Sequence, residues 1–193
     1  MKNNSLLKKQ IQKGFTLVEL LIVVIILAIL AAIVVPQFAS STDDAKLASL
    51  DTTLSNMRAA VDLYYQQHGK YPGAVISTGG TCDAGAADTT GTTVDSKEAF
   101  LAQLTRYTNA SGQACTGSGA NYKYGPYLKK GVLPDNPMTE KSAIAVAGTG
   151  TLGMISALTD KSGGWKYDTK TGQFIADDHR LVPPSTTQYY DMR

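Results

Sequence analysis

Histidine and cysteine are nearly absent from this chain. Two of each occur in 193 residues. The histidines, His68 and His179, stand outside any H-E-x-x-H or H-x-x-E-H frame, which removes the helix-borne zinc site of a metallohydrolase. No serine sits in a Gly-x-Ser-x-Gly elbow, so the strained-turn nucleophile of the hydrolases is missing as well. Lysine and arginine form neither a block nor a stripe interleaved with aromatics, which leaves no broad nucleic-acid footprint. Gly148-Thr149-Gly150-Thr151-Leu152-Gly153 satisfies G-x-G-x-x-G in letters only. A pyrophosphate cradle needs a helix after the glycines, and here a β-rich stretch and another glycine pair follow, so the segment reads as a tight turn between strands. Together these absences predict neither an enzyme nor an organic cofactor.

Acids are missing from residues 1–14, where Lys2, Lys8, Lys9 and Lys13 stand unopposed. Setting those four aside turns 18 basic side chains into 14 against 16 acids, a net charge of −2 in place of +2. Charge is missing again from Leu20 to Val35, so residues 15–35 match the ~20 apolar residues that span a hydrocarbon core as a helix. Glu19 breaks the pattern. A carboxylate costs about 2.5 to 3.5 kcal/mol at the centre of such a helix and less near its end, so it marks a function and calls for a partner. Cutting after Gly14 would leave Phe15 as a free α-amine, four residues and one helical turn from Glu19. The pair could close within one chain or between neighbours, and only the second turns the carboxylate into a register signal for packing identical helices. A plain membrane anchor whose Glu19 snorkels to the interface is the competing reading. The leader lysines keep the N-terminus cytoplasmic and send everything beyond Pro36 across the membrane. The apolar run exceeds the 7 to 15 residues of a secretory signal and no Ala-x-Ala cut follows, so the helix is expected to be retained.

Cys82 and Cys115 fall on the far side, where oxidation is permitted. Paired, they would close a loop of about 34 residues and contribute roughly 3 to 4 kcal/mol through loss of unfolded-state entropy. Two free thiols are the alternative, and a thiolate metal site lacks a nearby histidine or second cysteine pair.

Gly14-Phe15-Thr16-Leu17-Val18-Glu19, with a charged leader before it and the long apolar run after it, resembles the prepilin-peptidase signature of the type IV pilin and type II secretion pseudopilin superfamily. The resemblance implies a 1–14 leader removed after Gly14, N-methylation of Phe15, and Glu19 neutralising a neighbour's Phe15 terminus during filament assembly. It implies as partners the peptidase, an assembly platform, other pilins or pseudopilins, and further copies of the chain. Gly125-Pro126-Tyr127-Leu128, Leu133-Pro134-x-Asn136-Pro137 and Gly163-Gly164-Trp165-x-Tyr167-Asp168-x-x-Thr171-Gly172 are similar to the C-terminal part of G-type major pseudopilins. The chain departs from those in a long cysteine-bearing insert and in having no aromatic-Gly pair after Pro137. G-type pseudopilins bind calcium in a C-terminal loop, which makes Asp168, Asp177 and Asp178 candidates for a Ca²⁺ site. Their spacing follows no recognisable ligand pattern, and a solvated acidic turn is the alternative.

The predicted fold is α+β and pilin-like, a long N-terminal helix packed on a small antiparallel sheet. Residues 15–35 form the membrane-spanning half and 36–68 the amphipathic half, with Pro36 as a kink. Leu47, Leu50, Leu54, Met57, Val61 and Tyr64 recur at spacings of three and four, one buried stripe, while Asp51, Asn56, Arg58 and Asp62 fall elsewhere on the wheel. His68-Gly69 ends the helix and Tyr71-Pro72 prevents its resumption. Residues 69–121 read as a variable loop region holding one short helix capped near Ser96 and running to about Tyr107. Residues 122–180 carry strand candidates at 143–147, 152–158, 164–167 and 173–176, the last two joined by a hairpin turn at Asp168–Gly172. Residues 181–193 are a tail.

The reading is a filament subunit in the bacterial inner membrane, extending into the periplasm or onto the cell surface. A type II secretion pseudopilin is expected, with a true type IV pilin of a surface pilus as the alternative. A monomeric membrane-tethered binding module, recognising ligands through the loop between the cysteines, is a third reading.

Overall fold

The computed structural model describes residues 15–150 and 163–177, with residues 36–40 described by their backbone alone. The leader, Gly14, the strand candidate at 152–158, Asp178, His179 and the 181–193 tail lie outside the described residues. Among the described residues the elements are α1 (Leu17–His68), α2 (Lys97–Thr105), β1 (Tyr107–Thr108), β2 (Ala114–Cys115), β3 (Ile144–Ala147), β4 (Trp165–Asp168) and β5 (Phe174–Ala176). The chain divides into two compact units, Met1–Asp44 and Ala45–Arg193. α1 is helical through residue 36, where proline brings no N–H to the ladder.

In the second unit the core forms on the stripe expected from the sequence. Leu50, Leu54, Met57, Val61 and Tyr64 are buried together, and Leu47 packs at their edge. They meet Phe100 and Leu104 of α2, Trp165 and Tyr167 of β4, and Phe174 and Ala176 of β5. Burying a side chain of this size contributes about 1.5 to 3 kcal/mol, so the helix is held here by its packed face more than by its propensity. Asp51, Asn56 and Asp62 lie on the exposed side. Arg58 turns inward instead, its Nε donating to the Phe174 carbonyl at 3.1 Å. Gly69, with φ of +68°, closes the helix by donating its N–H to the Tyr65 carbonyl at 2.8 Å.

The short helix α2 begins where a hydroxyl cap is available. Ser96 has extended backbone, and its Oγ accepts the Ala99 N–H at 3.2 Å. The helix stops at Thr105, and Tyr107 already pairs with Cys115 across the antiparallel β1–β2 ribbon. This ribbon was not foreseen, because its strands have only two residues each and carry no alternation to read.

The main sheet has the order β3-β4-β5. β4 and β5 are antiparallel, Trp165 opposite Ala176 and Tyr167 opposite Phe174, joined by the expected turn. In that turn the Asp168 carboxylate accepts the N–H groups of Lys170 and Thr171, and Gly172 returns its N–H to the Asp168 carbonyl. β3 pairs with β4 in parallel, from Ile144 opposite Trp165 to Ala147 opposite Asp168, so the sheet is mixed rather than wholly antiparallel. Residues 148–164 between them exceed the dozen or so that a parallel return requires, whereas an antiparallel neighbour could have been reached by a tight turn.

The proline-rich run before β3 is fastened to β4. The Trp165 indole donates to the Pro134 carbonyl at 2.8 Å, and the Asn136 amide donates to the Gly164 carbonyl at 2.8 Å. A Cβ on Gly164 would lie 2.0 Å from the Lys141 carbonyl oxygen, so glycine is required for that approach. At the hairpin tip Gly172 has φ of +71°, and a Cβ there would lie 2.2 Å from the Tyr71 ring.

Candidate functional site

The first unit presents an apolar helix with a carboxylate at its start. Every side chain from Leu17 to Val35 is exposed. Among the described residues this is the one helix long and apolar enough to cross a membrane. Such a surface is stable only in a lipid environment or against copies of similar helices.

Glu19 is not left bare on that helix. The Thr16 N–H and the Thr16 hydroxyl both donate to Glu19 Oε2 at 2.8 Å, and the Glu19 N–H donates to Thr16 Oγ1 at 3.2 Å. This is a reciprocal capping box in which the threonine caps the third helical N–H and the acid satisfies the N–H of the cap residue. It occupies donors that an apolar surrounding would leave unpaired, and it places negative charge at the positive end of the helix. Phe15 is 87% exposed just before it. Glu19 thus has a partner besides the amine expected from the sequence, and the signal for it is readable there: a threonine followed three residues later by an acid, before an apolar run.

The other sequence candidates lie in the second unit. Cys82 and Cys115 form a disulfide, with Cα atoms 5.9 Å apart. It ties the loop after α1 to β2. Inside the loop it closes, Asp88 organises the chain: its carboxylate accepts from Ser77, Thr90 and Gly91 and pairs with Arg106 at 2.9 Å. Burial pushes the Asp88 carboxyl up, but the Ser77, Gly91 and Thr90 hydrogen bonds outweigh it and hold the group below the ordinary carboxylate range.

Asp168 and Asp177 are not brought together. Asp168 stands at the turn end of β4, whereas the N–H of Asp177 donates to the Gly164 carbonyl beyond the other end of that strand. Asp168 accepts from Thr149, Gly150, Lys170 and Thr171, which outweigh the effect of its burial and hold its carboxyl low. Asp177 pairs with Lys166 at 3.1 Å, both side chains almost fully buried. Among the described residues no group of three or more His, Cys, Asp or Glu side chains is arranged to hold a metal ion.

The geometry therefore defines a class: a membrane-anchored α+β protein whose apolar first helix opens on a capped carboxylate. Residues 9–35 match the family model described as the prokaryotic N-terminal methylation motif. The chain is 41% identical over 69 residues to a fimbrial protein of Neisseria meningitidis, covering 36% of this chain and 41% of that protein. It is 42% identical over 66 residues to the type II secretion system core protein G of Pseudomonas aeruginosa, covering 34% and 46%. It is 52% identical over 48 residues to a type IV narrow pilus major component of Thermus thermophilus, covering 25% and 41%. The chain thus spans less than half the length of these curated relatives. No solved structure matches. In the part that matches, the chain is type IV pilin-like, and the relatives are named as pilus and secretion-system proteins rather than as enzymes.

Proposed function

We propose that the chain is a structural subunit of a type IV pilus-like filament. The observation that carries this reading is the capped Glu19 carboxylate at the head of a helix whose whole apolar surface is uncovered. Prepilin peptidase cuts after Gly14 and Phe15 becomes the N-methylated first residue. The Phe15 ammonium of one copy then takes the Glu19 carboxylate of the next. The 15–35 helices pack as the filament core, and the second unit forms the outer surface. Head-to-tail contacts between identical subunits generate an open helical filament when the rotation does not close. The four leader lysines hold the N-terminus in the cytoplasm, so the subunit waits in the inner membrane for the assembly platform.

Within this class we assign the chain to the pseudopilins of a type II secretion system. The support is the run from Gly125 to Gly172, whose Pro134 and Asn136 are anchored to β4, together with the similarity to the Pseudomonas core protein G. A surface pilus is the second reading, supported by the similarity to the Neisseria fimbrial protein.

The test is the N-terminal mass of the protein in material sheared from cells, compared with the same peptide from membranes. A chain beginning at methylated Phe15 and held in the membrane fraction supports the pseudopilin. The same chain abundant in the sheared fraction moves the assignment to a surface pilus, and an intact Met1 leader in both removes the filament reading.

A further inference from the structure

A cleft of about 440 Å³ opens in the second unit. Its walls are Gly79–Thr81, the turn at Asn109–Gln113 and the segment from Ala120 to Tyr124. The Cys82–Cys115 bridge sits directly beside the first two walls and ties one to the other.

The lining is rich in donors. Asn109 Oδ1 accepts the N–H groups of Ser111 and Gln113, each at 3.0 Å, which fixes its orientation so that Nδ2 donates to Gln113 Oε1 at 2.7 Å. Both amide oxygens are thereby used. Gln113 Nε2 keeps its hydrogens without an acceptor among the described residues, and Asn109 Nδ2 keeps one. Lys123 is exposed, with Nζ 5.4 Å from the centre of the Tyr124 ring and no acid paired to it among the described residues. The neighbouring carboxylate, Asp83, has both oxygens taken by Asn121, at 2.6 and 2.9 Å. The cleft therefore offers amide N–H groups, one ammonium and the half-buried ring of Tyr124, with no acidic side chain in its lining.

These groups select the ligand chemistry. Amide donors suit hydroxyl and carboxylate oxygens, and a tyrosine ring such as that of Tyr124 suits the C–H face of a pyranose. One ammonium and no carboxylate favour an anionic ligand over a neutral one. A nucleic acid strand needs several cations along a track, and this lining holds a single lysine. The volume falls within the 300 to 1,000 Å³ or so of small-ligand clefts. We propose that the cleft between Gly80, Gln113 and Lys123 binds a carboxylated saccharide, with the Asn109 and Gln113 amides on its oxygens and Lys123 on its carboxylate. The assignment uses only the second unit and stands whether or not the chain assembles into filaments.

Ligand-observed NMR titration of the full chain in phosphocholine nanodiscs tests this, with sialyllactose, trigalacturonate, lactose and a short oligothymidylate as probes. At least one acidic saccharide is expected to bind near 1 mM and the matched neutral lactose at least about tenfold more weakly, a difference of roughly 1.4 kcal/mol. Preference between the two acids distinguishes a sialic from a uronic source. Lys123→Glu and Gln113→Ala should each weaken the acidic probe about tenfold, while Lys129→Glu, on an exposed lysine outside the lining, leaves it unchanged. Equal binding of lactose, tighter binding of oligothymidylate, no binding of either acid, or indifference to Lys123→Glu would each overturn the assignment. Folding of the variants is checked by their thermal transitions, and the exposed position of Lys123 makes its substitution the decisive one.

Discussion

Thr16 and Glu19 hold each other at the head of α1: two donors of the threonine converge on one carboxylate oxygen, and the glutamate N–H returns to the threonine hydroxyl. In the chain with its leader attached, Phe15 has no charged amine, so this clasp is what satisfies the acid. Losing a hydroxyl cap costs about 1 kcal/mol. Thr16→Val is therefore expected to speed amide exchange over Leu17–Glu19 in nanodiscs while leaving the rest of α1 unchanged. Glu19→Ala is expected to insert into membranes as the parent does and to yield few or no filaments. Normal filament yield from that variant would sink the pairing of Glu19 with a neighbour's Phe15.

The Cys82–Cys115 bridge crosses 33 positions of sequence. Replacing both cysteines with serine should lower the unfolding free energy of the second unit by about 3 to 4 kcal/mol if the effect is entropic. Denaturant titration of the two proteins, with and without reductant, checks this: reductant should bring the parent to the level of the variant and leave the variant unmoved.

Asp88 is a buried acid that accepts from five donor groups on four residues, among them the half-exposed Arg106. Asp88→Ala strands those donors and is expected to cost about 3 to 5 kcal/mol. The carboxyls of Asp88 and Asp168 are both held low, so the unfolded chain takes up protons before the folded one does. Their contribution is present above about pH 4, the ordinary carboxylate range, and is lost as the pH falls through their lowered values. Acid unfolding of Asp88→Asn should accordingly show a shallower slope below about pH 4 than the parent.

His68 titrates in the opposite sense to a surface histidine at a helix end. Its Nδ1 lies 3.0 Å from the Tyr64 carbonyl, which can only accept, so Nδ1 carries the proton and Nε2 accepts from the Thr108 hydroxyl at 3.0 Å. The rings of Tyr64, Tyr124 and Tyr127 close around it. Burial lowers its pKa below the ordinary 6.5 and outweighs the Tyr64 and Asn109 carbonyl bonds that favour the cation. In the window between that lowered value and 6.5 the unfolded chain binds more protons, so stability is full above the window and declines as the pH falls through it. The denaturation midpoint should drop between about pH 7 and pH 5, and His68→Gln should flatten that drop.

The elements with a strong period were legible. The Leu50–Tyr64 stripe, the Ser96 cap and the Asp168–Gly172 turn each rest on a local pattern whose physics is complete within a few residues. What the sequence did not disclose depends on partners far along the chain. A four-residue strand such as Ile144–Ala147 looks the same whether its neighbour runs with it or against it, and here β4 runs with it. Asp168 and Asp177 looked like neighbours, yet the register of the hairpin between them sends them to opposite ends of β4. The cleft beside the disulfide draws its walls from three separate segments, and no motif of any one of them announces it.

The close approach of Gly172 to Tyr71 separates two properties that usually travel together. The glycine is only half-buried at the tip of a hairpin, where substitutions are ordinarily absorbed, yet any side chain there meets both a left-handed backbone and an aromatic ring. In a scan of all single substitutions this tip should score as intolerant as the middle of the core. Tyr71 should relieve it only in part, since shrinking the ring restores space and leaves the backbone angle unchanged.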